Sequence, residues 1–530
     1  MGRVFSLNCF SPMGPIPGST ISKRKSARLT RRTGPEIPLK PGHPPRQPEF
    51  QNQGGRSMES KLRTRRDFLK GSAVAVGAAV LTACAPAAQP AGDMAESGDE
   101  MAAAEEILIR FAMWDWYANT PGVRWDEWNQ TEAFPLFEEA NPGTKLEWEP
   151  LGSGWPDKIL TQMAAGTAPD IISTWSPHID TWAEKHQLLD LQPLIDADIP
   201  NADDIYIGFA WDQMWDPFNN IRMGMLSDLD ITSIYYNKTA FEEEGLPLPT
   251  IDWTEDEYLV AAETLTIRDD NGDITRWGGQ LRPGFWLSYS YHVETHGGEV
   301  RDEETRMLCG LGEPEAQEGL EWVRRNMWDT NVFAQNNQMT ATGIPNMWTG
   351  LLPAEVVAMA ERSADQFFAL AESITEFEWD IAHIPSGPKD RACMGLPDEW
   401  VVYKGVVERG NHDEVWEMMK WLTGDWYQEK IATVSGRIPG LLAMADSWAD
   451  TLRQTDPRLE QVRLETVVEQ LQMGYPRRGP TFRFQQIAEE LINPAVDQVF
   501  IEGKAPVSIF EDIGPQVTEA QQDALQRATG

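Results

Sequence analysis

From Ile107 onward the chain alternates short apolar runs with stretches in which apolar positions recur every three or four residues. These two periods are those of strand and helix. Ile107-Leu-Ile-Arg-Phe-Ala-Met113 reads as a first strand, a helical pattern spans Glu127 to Asn141 and breaks at Pro142-Gly143, and Lys145 to Glu149 reads as the next strand. A second helix over Asp157 to Ala165, apolar at Ile159, Leu160, Met163 and Ala164, is closed by Gly166 and Pro169 before Asp170-Ile-Ile-Ser-Thr174 returns to strand. Glycine stops a helix there because it adopts the left-handed conformation at little cost. Further on, Thr254-Glu-Asp-Glu257 has the spacing of a capping box, and the helix it opens carries Tyr258, Ala261, Ala262 and Leu265 on one face. The alternation predicts an α/β architecture with parallel strands. Internal repeats are absent, and Gly152-Ser-Gly154 lacks the partner glycines of a nucleotide-binding loop.

Length and charge sharpen this picture. At 530 residues, 41% hydrophobic and 10% aromatic, the chain is too long for one small core and fits two globular bodies. The net charge of −37 is unevenly spread: residues 1–83 hold 15 Lys and Arg against 4 Asp and Glu. The remaining 447 residues carry 30 basic and 78 acidic side chains, a formal charge of −48. Such a field repels nucleic acid, and it disfavours anionic ligands unless a local basic pocket overrides it. Four cysteines are too few for a disulfide framework. Cys309 and Cys393 could pair or stand as separate buried thiols.

The N-terminal segment carries an address. Thr64-Arg65-Arg66-Asp67-Phe68-Leu69-Lys70 precedes an uncharged run, Gly71 to Ala83, that ends at Cys84. Arg65 and Arg66 followed by a short apolar run read as a twin-arginine signal peptide over 58–83, too short for a spanning helix of about 20 residues. Leu81-Thr82-Ala83-Cys84 resembles a lipobox, which would place a lipid on Cys84. Residues 84–106, rich in Ala, Pro, Gly and acids, then form a flexible tether. The basic, Pro-rich residues 1–57 are read as an extension upstream of a true start at Met58.

The segment Trp155-Pro-Asp-Lys-Ile-Leu-Thr-Gln-Met-Ala-Ala-Gly-Thr-Ala-Pro-Asp170 resembles the family 1 extracellular solute-binding proteins, the maltose-binding protein-like components of ABC importers. The resemblance continues in order through Leu188–Pro193, Ile234–Gly245, Pro249–Trp253, Gly297-Gly298, Glu355–Met359, Trp379–Gly387, Val415–Thr423, Gly436–Pro439 and Glu490–Val496. It implies a two-lobe periplasmic-binding-protein fold of type II-like topology, with a ligand cleft between lobes joined by crossing strands. By this likeness an N-terminal lobe takes 107–234 plus 381–436, a C-terminal lobe takes 235–380 plus 437–530, and the chain crosses near 229–235, 380–384 and 430–437. It also implies a monomer that binds a sugar, hands it to ABC permease subunits, stays at the outer face of the cytoplasmic membrane through its lipid anchor, and needs no cofactor. The chain departs from the family after Met359, where a stacking Trp gives way to Ala-Glu-Arg-Ser-Ala-Asp-Gln-Phe367.

Ligands of open α/β sheets sit beyond the carboxyl ends of the strands, so the residues that follow each strand are the candidates. They are aromatic and acidic: Trp114, Asp115 and Trp116 after the first strand, Trp175 and Ser176 after Asp170–Thr174, Phe285-Trp286 later, and Asp398, Glu399 and Trp400 on the returning segment. An indole face matches the C–H face of a pyranose, and carboxylates and arginine match its hydroxyls. Arg437 lies where members of the resembling family approach their ligand. Among enzyme readings, His292-Val-Glu-Thr-His296 puts its glutamate one residue away from the zinc-protease position, about 100° around a helix, so these histidines read as surface or helix-end residues without a metal. A secreted carbohydrate hydrolase is the alternative of a different class, but 78 carboxylates guarantee close pairs by chance and no nucleophile motif accompanies them. A binder of a non-sugar polar solute such as a glycerol phosphate is the other alternative.

Overall fold

The computed structural model describes residues 106–114, 125–152, 154–175, 177–282, 286–344, 349–365 and 367–529. Its strands are β1 (Ile107–Trp114), β2 (Thr144–Leu151), β3 (Ile171–Trp175), β4 (Trp215–Asp216), β5 (Ile221–Arg222), β6 (Gly224–Ile231), β7 (Ser233–Asn237), β8 (Ile267–Arg268), β9 (Ile274–Gln280), β10 (Val357–Arg362), β11 (Trp379–Ala382), β12 (Cys393–Val402), β13 (Ile438–Pro439) and β14 (Pro476–Arg477). One sheet runs β13-β6-β12-β3-β1-β2, with β14 on β12, and a second runs β11-β7-β10-β9-β8. The first β-α-β unit forms as the pattern predicts. β1 pairs in parallel with β2 from Ile107↔Thr144 to Trp114↔Leu151, and with β3 through Phe111↔Ile171.

The helices between these strands end where their sequences say they should. Trp155–Ala164 buries Trp155, Ile159 and Met163, and Gly166 just beyond it has φ +76°. At Glu255–Leu265 the Thr254 hydroxyl accepts from the Glu257 amide at 3.2 Å while the Thr254 amide donates to Glu257 at 2.8 Å. That helix buries Tyr258, Ala261, Ala262 and Leu265.

The two sheets meet where the chain passes between them. β6 belongs to the first and β7 to the second, separated only by Thr232. Residues 383–392 lead back from β11 in the second sheet to β12 in the first. Gln470 holds both passages: its Oε1 accepts from the Ile384 amide at 2.8 Å, and its Nε2 donates to the Thr232 carbonyl at 3.2 Å and Ser233 Oγ at 2.8 Å. β6 and β12 are buried along their whole lengths, as strands flanked on both edges and covered on both faces must be. Cys309 and Cys393 are both free thiols. No helix among the described residues is long and apolar enough to cross a membrane.

Candidate ligand-binding cleft

Where β3 ends, Trp175 is half-buried and lies directly across from Asp398 of β12. Its ring meets Trp155 at 5.4 Å and 59°, and His178 at 5.4 Å and 66°. Two rings set at steep angles against it fix the plane of the indole. Burial pushes His178 down to about 4, so it is neutral near pH 7. Trp175 therefore sits on an apolar, uncharged support at the carboxyl end of a parallel strand.

Beside it, on the other strands that reach this level, three carboxylates surround one guanidinium. Arg437 Nε bonds Asp228, and its Nη2 bonds Asp398 at 2.5 Å and reaches Asp230 at 3.2 Å. Arg437 itself is 2% exposed. Burial raises the Asp230 carboxyl well above the ordinary carboxylate range against the pull of Arg437, and the neighbouring acids Asp365, Asp398 and Asp228 add to the rise. Arg437 is thus anchored by acids from β6 and β12 and joins these strands at the passage between the sheets.

The residues expected to face a ligand divide into several groups. Trp400 is a correction: it is 1% exposed and packs against Phe111 at 5.4 Å and Tyr427 at 6.3 Å, because a central strand has no open face. Glu399 is fully buried, both its oxygens lack hydrogen-bond partners, and burial followed by the Asp398 and Asp180 charges raises its carboxyl well above normal. Trp114 closes β1 and Trp286 opens the helix Trp286–Thr295. Asp115, Trp116, Ser176, Arg65, Arg66 and Cys84 lie outside the described residues. The histidines of the His-Val-Glu-Thr-His run are buried and not on the surface. His292 Nε2 lies 3.4 Å from Glu361 and its Nδ1 3.8 Å from Glu255, while His296 Nε2 lies 3.5 Å from Glu255. Burial alone would lower His292, but the two carboxylates overcome it and raise the imidazole to about 9. Among the described residues no cluster of His, Cys, Asp and Glu is arranged to hold a metal.

The second sheet contributes a pair of arginines that the sequence reading passed over. β10 continues three residues past Met359, so Glu361 and Arg362 belong to the strand, and Arg362 is its carboxyl-terminal residue. Arg282 follows the carboxyl end of the parallel neighbour β9 by two residues. Both stand at strand ends, the positions from which the sequence candidates were drawn, but finding them needs the true ends of β9 and β10.

The sequence profile described as "Bacterial extracellular solute-binding protein" matches residues 124–429, more than half of the chain. This chain is a bacterial extracellular solute-binding protein. A Brucella abortus (strain 2308) chain named as a binding protein is 22% identical to this solute-binding protein over 316 residues, which is 58% of this chain and 71% of that one. Among solved structures, the fold is similar to an ABC substrate-binding protein of Listeria monocytogenes in complex with cycloalternan, with TM-score 0.65 and 20% identity over 79% of this chain and 99% of that one. It is also similar to maltose-bound T. maritima MalE3, with TM-score 0.61 and 16% identity over 79% of this solute-binding protein and 100% of that chain. UgpB from M. tuberculosis in complex with glycerophosphocholine matches with TM-score 0.59 and 16% identity over 79% and 99%. These likenesses establish the two-lobe binding-protein fold.

Proposed function

We propose that this solute-binding protein is the extracytoplasmic component of an ABC importer, that it takes a sugar or oligosaccharide between its two lobes, and that it delivers the sugar unchanged to membrane permease subunits. The observation that carries the sugar reading is Trp175, a half-buried indole braced by Trp155 and His178 and standing opposite Asp398. A rigid aromatic face beside carboxylates stacks on a pyranose and meets its hydroxyls, at low entropic cost because the indole has only two side-chain torsions. The printed ligands of the Listeria and T. maritima neighbours, cycloalternan and maltose, support the same class. Ligand bridging the lobes would shift a hinge equilibrium at Thr232, the known behaviour of periplasmic binding proteins, and only contacts better made in the closed state can drive that shift.

In this reading the chain is exported by the twin-arginine route, stays at the membrane as a monomer through acylated Cys84, and has no enzymatic activity. Intact-mass measurement of the membrane-extracted protein tests the anchor: without a diacylglyceryl group on a chain beginning at Cys84, the lipoprotein assignment fails. The ligand is tested by thermal shift of the purified protein against sugars, polyols and oligosaccharides. A ligand at about 100 times its dissociation constant adds about 2.7 kcal/mol of stability. A hit recovered chemically unchanged supports a binding protein, and a hit consumed during incubation supports the hydrolase instead.

A further inference from the structure

Arg362 is 4% exposed, and its Nε and Nη2 are buried with no hydrogen-bond acceptor. Buried guanidinium groups are otherwise paired, because an unmet charged donor forfeits its hydration without return. Beside it stands a second guanidinium. Arg282 Nη1 reaches Ser363 Oγ at 3.4 Å, Ser363 follows Arg362 in the chain, and the Ser363 carbonyl accepts from the Tyr235 hydroxyl at 3.1 Å. Burial, and after it the Arg282 charge, push Arg362 down to about 10.

The place is the one where a ligand belongs. Arg362 ends β10 and Arg282 follows β9, both at the carboxyl ends of parallel strands. Arg362 pairs across the sheet with Ser233, the first residue after the Thr232 passage between the sheets. Three carboxylates act on Arg282 from nearby: Asp365, which is half-buried, Asp230, which is engaged with Arg437, and Glu361, which lies against His292. None of them gives Arg362 Nε or Nη2 a hydrogen bond, so two buried donors of this guanidinium are left for a ligand.

We infer that Arg362, with Arg282 beside it, is the receptor for an anionic group on the ligand, so that the sugar taken up is an acidic one bearing a carboxylate or a phosphate. This rests on the proposed sugar-binding role and narrows it. A planar guanidinium with two parallel N–H donors suits either anion, and a buried one makes the contact specific. Trp175 and the carboxylates on the first sheet would hold the neutral ring, and the second sheet would hold the charge.

The test compares matched pairs on the purified full-length protein by calorimetry: glucose with glucuronic acid and glucose 6-phosphate, digalactose with digalacturonate, and inorganic phosphate alone. The expected result is at least tenfold tighter binding of an acidic member than of its neutral parent. Arg362→Gln removes that difference and Arg362→Lys retains part of it. The uronate and phosphate arms identify the source of the charge. If the neutral parent binds as tightly as the acidic sugar, the anion receptor is overturned while the sugar reading stands. If inorganic phosphate binds through Arg362 and no sugar does, the receptor stands and the sugar reading falls. If no probe binds, the receptor is overturned too. Should Arg362→Gln fail to fold, the matched pairs on the unsubstituted protein decide the matter, because equal affinity for the acidic and neutral members contradicts the receptor.

Discussion

Glu399 and His292 are two buried ionisable groups whose raised values make them pH-sensitive in separate windows. Both keep their proton in the folded state longer than in the unfolded one, so each contributes stability that is present at low pH and lost as pH rises. For Glu399 the loss begins above the unfolded value of about 4.3, and for His292 it runs from about 6.5 in the unfolded chain to about 9 in the folded one. We predict that Glu399→Gln melts at a temperature that rises relative to the unsubstituted protein as pH climbs above about 4.3, since the amide cannot ionise. His292→Gln should show its largest deficit below pH 6.5, and the deficit should shrink toward pH 9. Melting curves from pH 4 to 9 measure both, and a pH-independent difference in either variant contradicts the assignment. The same residues show what sequence could and could not supply. Carboxylates from Asp228, Asp230 and Asp398 converge on Arg437 across wide gaps in the chain, and no local spacing foretells that. The position of Trp175 at the end of β3 was legible because a strand end is a local signal, whereas the burial of Trp400, on an equally aromatic segment, depends on both neighbours of β12.

At the scale of elements, the periodic segments were read nearly as they fold. The opening strand, its helix and the capped helix at Thr254 depend on contacts three or four residues away, which is why pattern alone finds them. β10 runs on past Met359 through Glu361 and Arg362, charged residues that are both buried, Glu361 against His292 and Arg362 beside Arg282. A charged residue in a strand is a poor stop signal when tertiary structure covers it. The helix Glu465–Gln472 is the element that joins the two passages between sheets, through Gln470. Gln470→Leu keeps the volume and leaves the Ile384 amide and the Thr232 carbonyl unpaired inside the protein, at a cost of about 1–3 kcal/mol for each group. We expect the variant to lose that stability in denaturant titration and to exchange the Ile384 amide faster than amides inside the first sheet. Equal exchange in both places would show that Gln470 does not tie the passages.

The molecule as a whole is a strongly acidic exported chain whose two main sheets are linked at Thr232, with aromatic and acidic residues at strand ends of the first sheet and basic ones at strand ends of the second. The acidic surface governs solubility and long-range repulsion, while the proposed site rests on a few side chains near the passage. The central claim is that a solute held between the lobes changes their arrangement. Small-angle X-ray scattering of the purified protein, with and without a saturating ligand identified by the thermal-shift panel, tests this most directly. The account predicts a smaller radius of gyration in the bound state, and an unchanged scattering curve at demonstrated saturation would contradict it.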